Sequence, residues 1–521
     1  MVASCGDNGP QLPFVPTPSP TPEQPRQVAL TVVTRGTDDP VGDAEIDVDE
    51  AVVLTASDGT ATITAMRGAS IDVAAAGHDP TTAVVPDDGD LRVEMRPNVV
   101  SGIVTDLDGE PIAGVRVFMD GTDLLTETDE DGAYELGGLP ADGTLIYKMP
   151  GYRLVELTVG DELSRDIAMQ PFEARALYAP SAIFEAPGRL DAMLDLLERT
   201  EANALVIDVK ETDGRLYYAT DLAAAVEVGA VRETPVFDLE ELLPMLKERG
   251  IYTIARMVVM KDNTSAVARP ELAVRNSATG EPWRDNIGGA WLDPSAPGVA
   301  EYVASIAGDL ADKGFDEVQM DYIRFYSDGP YNVADTNLPN TQSFRLPAIQ
   351  RVLRVVSQEH EMTRTFLAAD VFPIAFIVPD DQGIGQRPEV IMPYVDYFCP
   401  MVYPSHYGPG VFGFEVPNDY PYEVIDQTLK IMNEQANGMS VVIRPWIQDF
   451  GYGSFAPYTS AQVQAEMTAA ADNDAKGWMI WNARALFTES ALGPPREDED
   501  AGPVTSAEPA PSVSASPSAS P

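Results

Sequence analysis

The chain has 521 residues, which is long enough for several domains. It carries 82 acidic and 34 basic residues, a net charge of −48, so its surface repels phosphate backbones and anionic lipids and excludes nucleic acid as a partner. No run of about 18 apolar residues occurs, so no transmembrane helix is predicted. The two cysteines, Cys5 and Cys399, are too few for a disulfide framework or a cysteine-rich zinc site.

The two termini have low-complexity compositions. Residues 1–26 are proline-rich, which is typical of a semi-rigid spacer, and residues 494–521, rich in Ser, Ala and Pro, are predicted to be disordered. Val2-Ala-Ser-Cys5 resembles the lipobox of bacterial lipoproteins, in which the cysteine is acylated after signal-peptide cleavage. The charged and apolar regions that precede such a cysteine are missing from the sequence. An accidental match is one explanation, but a proline-rich tether follows the motif at once, as anchored exoproteins need. Because of this tether, we expect an extracellular or cell-surface protein whose contact with a membrane is a lipid anchor on Cys5.

Residues 27–171 contain an internal repeat of roughly 70 residues, which predicts two small domains at 27–97 and 98–171. Alternating apolar and polar residues separated by Asp-Gly predict β-sandwich hairpins in both. The repeat is carried by Asp58-Gly59-Thr60-Ala61 and Asp131-Gly132-Ala133-Tyr134, and by Met95-Arg96-Pro97 and Met169-Gln170-Pro171. With Gly102-Ile-Val-Thr-Asp106 and Pro111-Ile-Ala-Gly114, the second copy resembles a carboxypeptidase-regulatory-like (transthyretin-like) module. That resemblance implies a spacer or binding module.

Between residues 172 and 493, apolar runs alternate with helical segments, which indicates βα units and a parallel sheet. Eight strands are predicted, at 175–184, 204–210, 252–259, 317–325, 366–372, 397–403, 441–446 and 477–481. Helices are predicted between them, at 190–200, 239–249, 299–313, 344–359, 422–433 and 460–473. This pattern predicts one α/β domain, a (β/α)8 TIM barrel. An open doubly wound sheet is the alternative, but no glycine-rich loop follows the first strand.

Charged and aromatic residues stand at the predicted carboxyl ends of these strands, where TIM-barrel active sites lie. In the fourth strand an apolar run ends in Asp321, and burying such a charge costs several kcal/mol unless it is paired or used. The other residues predicted to line the substrate site are Asp208, Lys210, Arg256, Lys261, Asp293, Tyr322, Arg324, Tyr403, His406, Trp446, Gln448, Trp481 and Asn482.

This combination of residue types favours carbohydrate chemistry. Aromatic faces stack on sugar rings, and all five tryptophans fall in the predicted barrel, where one or two are expected to fill the core instead. Glycoside hydrolysis needs two carboxyl groups, for which Asp321, Asp370 and Asp449 are the candidates. We expect Arg324 to keep one of them ionised and a dry pocket to raise the pKa of another.

Other hydrolytic chemistries fit the sequence less well. The three histidines form no zinc motif, and no Gly-x-Ser-x-Gly elbow occurs. We therefore predict that the reaction uses no metal and no cofactor.

Residues from about 174 to 490 resemble the bacterial putative glycosyl hydrolase domain family, a TIM barrel distantly related to the alpha-amylase-like enzymes. The matching stretches are 204–210, 254–262, 291–295, 319–325, 400–407 and 445–450. The distant relatives carry an Asp nucleophile on strand 4, a Glu acid on strand 5 and a further Asp after strand 7. By that resemblance Asp321 is the nucleophile and Asp449 the third carboxylate. This chain has Asp370 in place of the Glu, and Gln319 where those relatives have an Arg.

The sequence thus predicts two β-sandwich modules followed by a glycoside hydrolase barrel that cleaves a poly- or oligosaccharide. Asp321 is the expected nucleophile or base, Asp370 the acid, and Asp449 a stabilising group or an alternative acid. A glycan-binding cell-envelope protein without turnover is the main alternative, supported by the missing strand-5 Glu. A different carbohydrate-active enzyme and an interaction scaffold remain open. Carbohydrate is the only partner predicted.

Overall fold

A computed structural model describes residues 24–49 and 51–495, which divide into two compact units. The first unit holds the described residues up to Val100 together with Gly137–Ala141 and Gly160–Leu163. Its strands are β1 (Arg26–Thr34), β2 (Glu45–Val48), β3 (Ala51–Leu54), β4 (Thr60–Ala65), β5 (Ser70–Ala74), β6 (Thr81–Val84) and β7 (Leu91–Met95).

These strands form two sheets, in the orders β4-β1-β7 and β3-β2-β5-β6. Strand β1 is antiparallel to β4 and parallel to β7. Side chains alternate between exposed and buried along the strands, and the buried ones, such as Leu30 and Val32 of β1 and Ile46 and Val73 of the other sheet, share one core. The first unit is therefore a small β-sandwich, as its period-2 pattern predicts.

The second unit begins with a similar β-module. Its strands are β8 (Val100–Thr105), β9 (Arg116–Met119), β10 (Leu125–Glu127), β11 (Ala133–Leu136), β12 (Thr144–Lys148), β13 (Val155–Thr158) and β14 (Ile167–Ala168). They form two sheets, in the orders β10-β9-β12-β13 and β11-β8-β14.

The sequence repeat corresponds to one turn that occurs in both modules. Gly59 and Gly132 have φ angles of 75° and 73°, in the left-handed region that favours glycine. A Cβ atom on either would lie 2.4 Å from a backbone carbonyl oxygen, of Val32 in the first module and of Val104 in the second. Glycine is therefore required at both positions of the repeated Asp-Gly pair.

The rest of the second unit is a ring of parallel strands. They are β15 (Ala174–Ala179), β16 (Ala204–Lys210), β17 (Tyr252–Val258), β19 (Glu317–Asp321), β21 (Phe366–Val371), β22 (Tyr397–Pro400), β23 (Val442–Ile443), β24 (Trp446–Gln448) and β25 (Gly477–Trp481). Their order is β23-β22-β21-β19-β17-β16-β15-β25-β24. A separate ribbon pairs β18 (Arg275–Asn276) with β20 (Ala334–Asp335).

The predicted seventh strand is interrupted, and the interruption is where the ring closes. Strand β23 pairs with β22, whereas β24 pairs with β25. Pro445 lies between them and has no N–H to donate to a ladder. The backbone N–H of Val402 donates to the carbonyl of Trp446 at 3.1 Å, which joins the two edges of the sheet. The predicted (β/α) barrel is confirmed.

Helices alternate with the barrel strands. They are α1 (Ala182–Glu185), α2 (Arg189–Arg199), α3 (Ala223–Val228), α4 (Leu239–Glu248), α5 (Asn263–Ala268), α6 (Val299–Lys313), α7 (Gln342–His360), α8 (Ile374–Ile377), α9 (Pro388–Ile391), α10 (Pro421–Ala436) and α11 (Ser460–Asp472). None of the helices in residues 24–49 and 51–495 is long and apolar enough to cross a membrane.

Every second residue of the barrel strands faces the interior of the ring. Ala204 and Val206 of β16, Ile254 of β17 and Ala368 of β21 belong to one interior cluster with Met479 of β25. Two residues beyond Val206, Ile254 and Ala368, the same face carries a charged side chain. This periodicity places Asp208, Arg256, Asp321 and Asp370 in one layer at the carboxyl ends of four adjacent strands.

Candidate active site

A cleft of about 180 Å³ opens at the carboxyl ends of the barrel strands. Two carboxylates, two guanidinium groups and several aromatic rings line it. The lining residues are Arg256, Asp321, Tyr322, Arg324, Asp370, Phe372, Met401, Tyr403, Trp446 and Trp481.

Arg256 is the centre of the charge network in this cleft. Its Nη1 donates to Oδ1 of Asp208 at 2.5 Å, and its Nη2 and Nε donate to Oδ2 of Asp321 at 2.5 and 3.2 Å. Nε also lies 3.9 Å from Oδ2 of Asp370. One buried cation therefore holds two carboxylates and lies close to a third, which compensates for much of the cost of burying them.

Asp370 is almost completely buried, with 1% of its surface exposed, compared with 6% for Asp321. Burial and the neighbouring charge of Asp321 raise the pKa of Asp370 well above its usual range. Trp446 Nε1 donates to Oδ1 of Asp370 at 2.7 Å, which fixes the orientation of the carboxyl group. The two carboxyl groups thus have different surroundings: Asp370 is buried against Trp446 with a raised pKa, whereas Asp321 is ion-paired with Arg256.

The two carboxyl groups lie close together. Oδ2 of Asp321 and Oδ2 of Asp370 are 3.2 and 3.9 Å from the same Arg256 nitrogen, so they are at most about 7 Å apart. That limit includes the separation of about 5–5.5 Å found in retaining glycosidases and excludes most of the 6.5–9.5 Å range found in inverting ones.

The backbone immediately after Asp321 is constrained. Tyr322 has a φ angle of 55°, which is rare for a bulky side chain and recurs at functional sites. Its backbone N–H donates to Oδ1 of Asp321 at 2.6 Å. The turn at Tyr322 therefore fixes the Asp321 carboxylate from the side opposite Arg256.

Two further groups beside Asp208 were not predicted from the sequence. The hydroxyl of Tyr178 donates to Oδ2 of Asp208, and Oε1 of Glu211 lies 3.8 Å from Arg256 Nη1. Burial and the nearby charge of Asp208 raise the pKa of Glu211 to about 8. Tyr178 follows Ala174 and Ala176 on the interior face of β15, one residue before the strand ends, so its position near the strand end was the available signal.

A break in strand register explains why Glu211 was missed and where Lys210 lies. The pairing of β16 with β17 shifts between Asp208 and Lys210, as it does at a β-bulge, so the period-2 rule fails there. Lys210 Nζ instead pairs with Asp262 at 2.9 Å and donates to the carbonyl of Val258. Lys210 is not among the residues that line the cleft.

Arg324 does not play the part expected from the sequence. We expected it to keep a catalytic carboxylate ionised, but within the described chain it forms no ion pair, and Arg256 holds Asp321 instead. The guanidinium carbon of Arg324 lies 5.0, 4.7 and 4.7 Å from the ring centres of Trp291, Tyr322 and Phe372. Arg324 thus enters the cleft from a cage of aromatic rings.

The aromatic wall of the cleft comes from the last strands of the barrel. Trp481 stacks on Tyr178 with ring centres 4.0 Å apart and meets Trp446 edge-on at 5.6 Å. Tyr403 lines the same wall, and His406 packs on it at 5.5 Å with Ser405 Oγ bonded to its Nδ1. Partial burial lowers the pKa of His406.

Several predicted site residues lie outside this cleft and are held by other partners. Lys261 Nζ pairs with Asp285 at 2.7 Å. Asp293 accepts hydrogen bonds from Ser295 and from the backbone of Asn337. These contacts stabilise the long segment between β17 and β19.

A second group outside the cleft surrounds the end of the seventh strand. Asp449 accepts hydrogen bonds from the backbone and hydroxyl of Thr488, at 2.6 and 2.7 Å. Asn482 donates to the carbonyls of Asp449 and Leu486, and Gln448 donates to the carbonyl of Phe450 at 2.9 Å. The structure therefore brings together Asp321 and Asp370, but Asp449 is not with them.

The remaining predictions concern metals and cysteines. In residues 24–49 and 51–495, no group of three or more His, Cys, Asp or Glu side chains is placed to hold a metal ion. Cys399 is buried inside the barrel, and burial raises the pKa of its thiol. Cys5, the predicted lipidation site, and most of both terminal segments lie outside the described residues.

Comparison with known proteins decides the family. The model of the putative glycosyl hydrolase domain matches residues 176–487, which is more than half of the chain. The chain belongs to this family. A second model, of the carboxypeptidase regulatory-like domain, matches residues 99–170. The resemblances of these two domains to known families are confirmed, and the cleft lies within the glycosyl hydrolase domain.

Solved structures of similar proteins are mostly distant in sequence. A hypothetical protein from Ruminiclostridium thermocellum is 33% identical, over 37% of this chain and 97% of that one, with a TM-score of 0.33. The PgaB (BpsB) glycoside hydrolase domain from Bordetella bronchiseptica is 14% identical, over 62% of this chain and 99% of that one, with a TM-score of 0.44. The alpha-galactosidase TtGalA from Thermus thermophilus is 13% identical, over 71% and 74%, with a TM-score of 0.38. No curated protein matches the chain.

Proposed function

We propose that the glycosyl hydrolase domain cleaves a glycosidic bond of a poly- or oligosaccharide in the cleft around Arg256. Asp321 acts as the nucleophile and Asp370 as the general acid. The observation that carries this proposal is that an ion-paired carboxylate and a buried carboxyl group with a raised pKa lie 3.2 and 3.9 Å from the same Arg256 nitrogen.

The hydrogen bonds of Asp321 leave it one free position for reaction. A carboxylate accepts about four hydrogen bonds, two at each oxygen. Arg256 donates two to Oδ2, and the backbone of Tyr322 donates one to Oδ1. One lone pair on Oδ1 remains, so this oxygen is the one we assign to attack on the anomeric carbon.

The proposed reaction has two steps. Asp370 gives its proton to the glycosidic oxygen as the bond from that oxygen to C1 breaks, and Asp321 Oδ1 forms a bond to C1. Asp370, now ionised, then takes a proton from a water molecule, whose oxygen displaces Asp321 from C1. Both steps need only carboxyl groups and water.

The aromatic wall supplies sugar binding. The rings of Trp481 and Tyr403 line the cleft together with the two carboxyl groups. Such rings are expected to stack on the apolar face of a pyranose ring. We assign the sugar that is cleaved to the space between this wall and Asp321.

A glycan-binding protein without turnover is the second candidate. The observation in its favour is the 1% exposure of Asp370, because a general acid has to reach the leaving oxygen. This candidate predicts that sugars bind in the same cleft and are released unchanged.

The experiment is to measure reducing ends released from a panel of polysaccharides by the wild-type chain and by single variants. We expect Asp321→Asn to lose at least ~10³-fold in rate and Asp370→Asn about 10²–10⁴-fold. Asp195→Asn, on the exposed face of α2, is the matched control and should retain full activity. Equal rates in all four proteins, or no release by any, would reject the proposal, while circular dichroism checks that each is folded.

We also propose an extracellular or cell-surface location through acylation of Cys5. Support comes from the lipobox-like Val2-Ala-Ser-Cys5 and the proline-rich segment that follows it. Labelling of expressing cells with a fatty-acid analogue tests it, with Cys5→Ala as the control that should lose the label.

A further inference from the structure

We propose that the cleft accepts a negatively charged sugar, whose carboxylate or sulfate group is bound by Arg324. This inference rests on the proposed function, because it places an acidic substituent on the substrate of the same cleft. Its basis is an arginine that lines the cleft, is only 6% exposed and has no counter-ion in the described part of the chain.

The hydrogen bonds of Arg324 account for only one end of its guanidinium group. Nη1 donates to the carbonyl of Phe325 at 3.0 Å and to the hydroxyl of Ser327 at 3.2 Å. Within residues 24–49 and 51–495, Nε and Nη2 have no hydrogen-bond partner, and neither is sealed off from solvent. These two nitrogens are the pair that binds a carboxylate or sulfate in a bidentate arrangement.

The residues around Arg324 hold its guanidinium group in place without neutralising its charge. Three rings hold the guanidinium, and Trp291 is itself fixed because its Nε1 donates to Asp285 at 3.0 Å. Asp285 in turn accepts a hydrogen bond from Lys261. Asp321 and Asp328 act on Arg324 only at longer range, without an ion pair. The positive charge thus stays uncompensated at contact distance, and a structural arginine in a dry pocket would be expected to have a carboxylate partner.

The contrast with Arg256 strengthens the assignment. Arg256 lines the same cleft and is paired with Asp208 and Asp321, so it has little charge to offer a ligand. Binding a neutral sugar over Arg324 would remove water from an unpaired cation at a cost. An acidic sugar supplies the missing partner, and it does so inside a protein whose net charge of −48 otherwise repels anions.

The test is a binding measurement that does not depend on turnover. Full-length Asp321→Asn protein is applied to an array in which each uronic-acid or sulfated oligosaccharide stands beside its neutral counterpart. We expect binding to acidic members in preference to their neutral forms. The relative signals of uronic-acid and sulfated probes show which of the two oxyanions the site takes.

A second set of variants tests whether Arg324 is the residue that binds the acidic group. Adding Arg324→Met should weaken binding of the acidic probes by about 10- to 100-fold, since hydrogen bonds to charged groups have that effect. Arg324→Lys should restore part of the loss, because it keeps the charge without the flat, stacked geometry. Arg351→Met, an exposed arginine paired with Glu301 on another face, should have no effect.

Equal binding of acidic and neutral probes, binding of none, or equal loss of both kinds in Arg324→Met would overturn the inference. Failure of the proposed hydrolysis gives a different result, namely selective binding of acidic sugars by a protein that never cleaves them.

Discussion

Arg256 donates to Asp321 through two nitrogens, at 2.5 and 3.2 Å, and the same side chain lies 3.9 Å from Asp370. The two carboxyl groups differ because one contacts this cation directly, while the other is buried behind it against Trp446. The acid and nucleophile roles that we propose for Asp370 and Asp321 therefore depend on the position of Arg256.

Removal of this arginine should destabilise the fold as well as the site. Arg256→Met leaves Asp208 and Asp321 buried without their partner, which costs about 3–5 kcal/mol in the free energy of unfolding. The double variant Asp208→Asn/Arg256→Met should recover part of that loss, because one uncompensated charge is gone. Urea denaturation of both variants and of Asp208→Asn measures the coupling. Simple additivity would contradict the network.

Trp446→Phe should move the alkaline limb of the pH profile of kcat/KM. Trp446 Nε1 donates to Asp370 and thereby lowers its pKa, against the larger effects of burial and Asp321. Without this bond the pKa of Asp370 rises further. Since the acid has to be protonated, activity should persist to higher pH. Trp478→Phe, outside the cleft, serves as the control, and a downward shift in Trp446→Phe would contradict the role of Asp370.

Glu211 should make stability depend on pH. Its pKa is raised from 4.5 to about 8, so the folded state keeps a proton that the unfolded state releases. The stability this contributes is complete below pH 4.5 and is lost as the pH rises through 8. Glu211→Gln removes the effect, so the variant should gain stability relative to wild type between pH 5 and pH 9. Urea denaturation of both proteins at pH 5 and at pH 9 measures this gain. A difference in the free energy of unfolding between variant and wild type that is the same at both pH values would contradict the prediction.

Breaking an ion pair deep in the barrel should lower the free energy of unfolding more than breaking one on the surface. Glu317 and Arg444 pair with each other and are fully buried, so Glu317→Gln leaves an unpaired guanidinium and should cost about 3–5 kcal/mol. The exposed pair of Arg351 with Glu301 is the matched comparison, and Glu301→Gln should cost less than about 1 kcal/mol. Thermal and urea unfolding measure both, and similar losses would show that burial does not decide the effect.

Much of the fold could be predicted from periodicity alone. The strands predicted at 204–210 and 477–481 match β16 and β25 residue for residue, because each is a short, mostly apolar segment between helical segments or loops. The same period-2 rule places Asp321 and Asp370 inside the ring, where they meet. The aromatic and carboxyl residues at the strand ends, together with the family resemblance, supplied the expectation that this site acts on sugars.

The site details that were missed depend on local breaks in that regularity. The shift in register after Asp208 sends Lys210 to Asp262, and the positive φ of Tyr322 redirects the chain before Arg324. Thr488, from the segment after the last strand, binds Asp449. Bulges, strained turns and loop contacts of this kind have no periodic signature in a single sequence.

Trapping the glycosyl-enzyme is the most direct test of the role of Asp321. A 2-fluoro derivative of a cleaved sugar, incubated with the wild-type chain, should leave its mass on the peptide that contains Asp321, because fluorine slows the second step more than the first. Asp370→Asn should still form this ester if the leaving group needs no proton. An adduct on Glu211 or Asp449, or cleavage with inverted anomeric configuration and no adduct, would contradict the assignment of Asp321 as nucleophile.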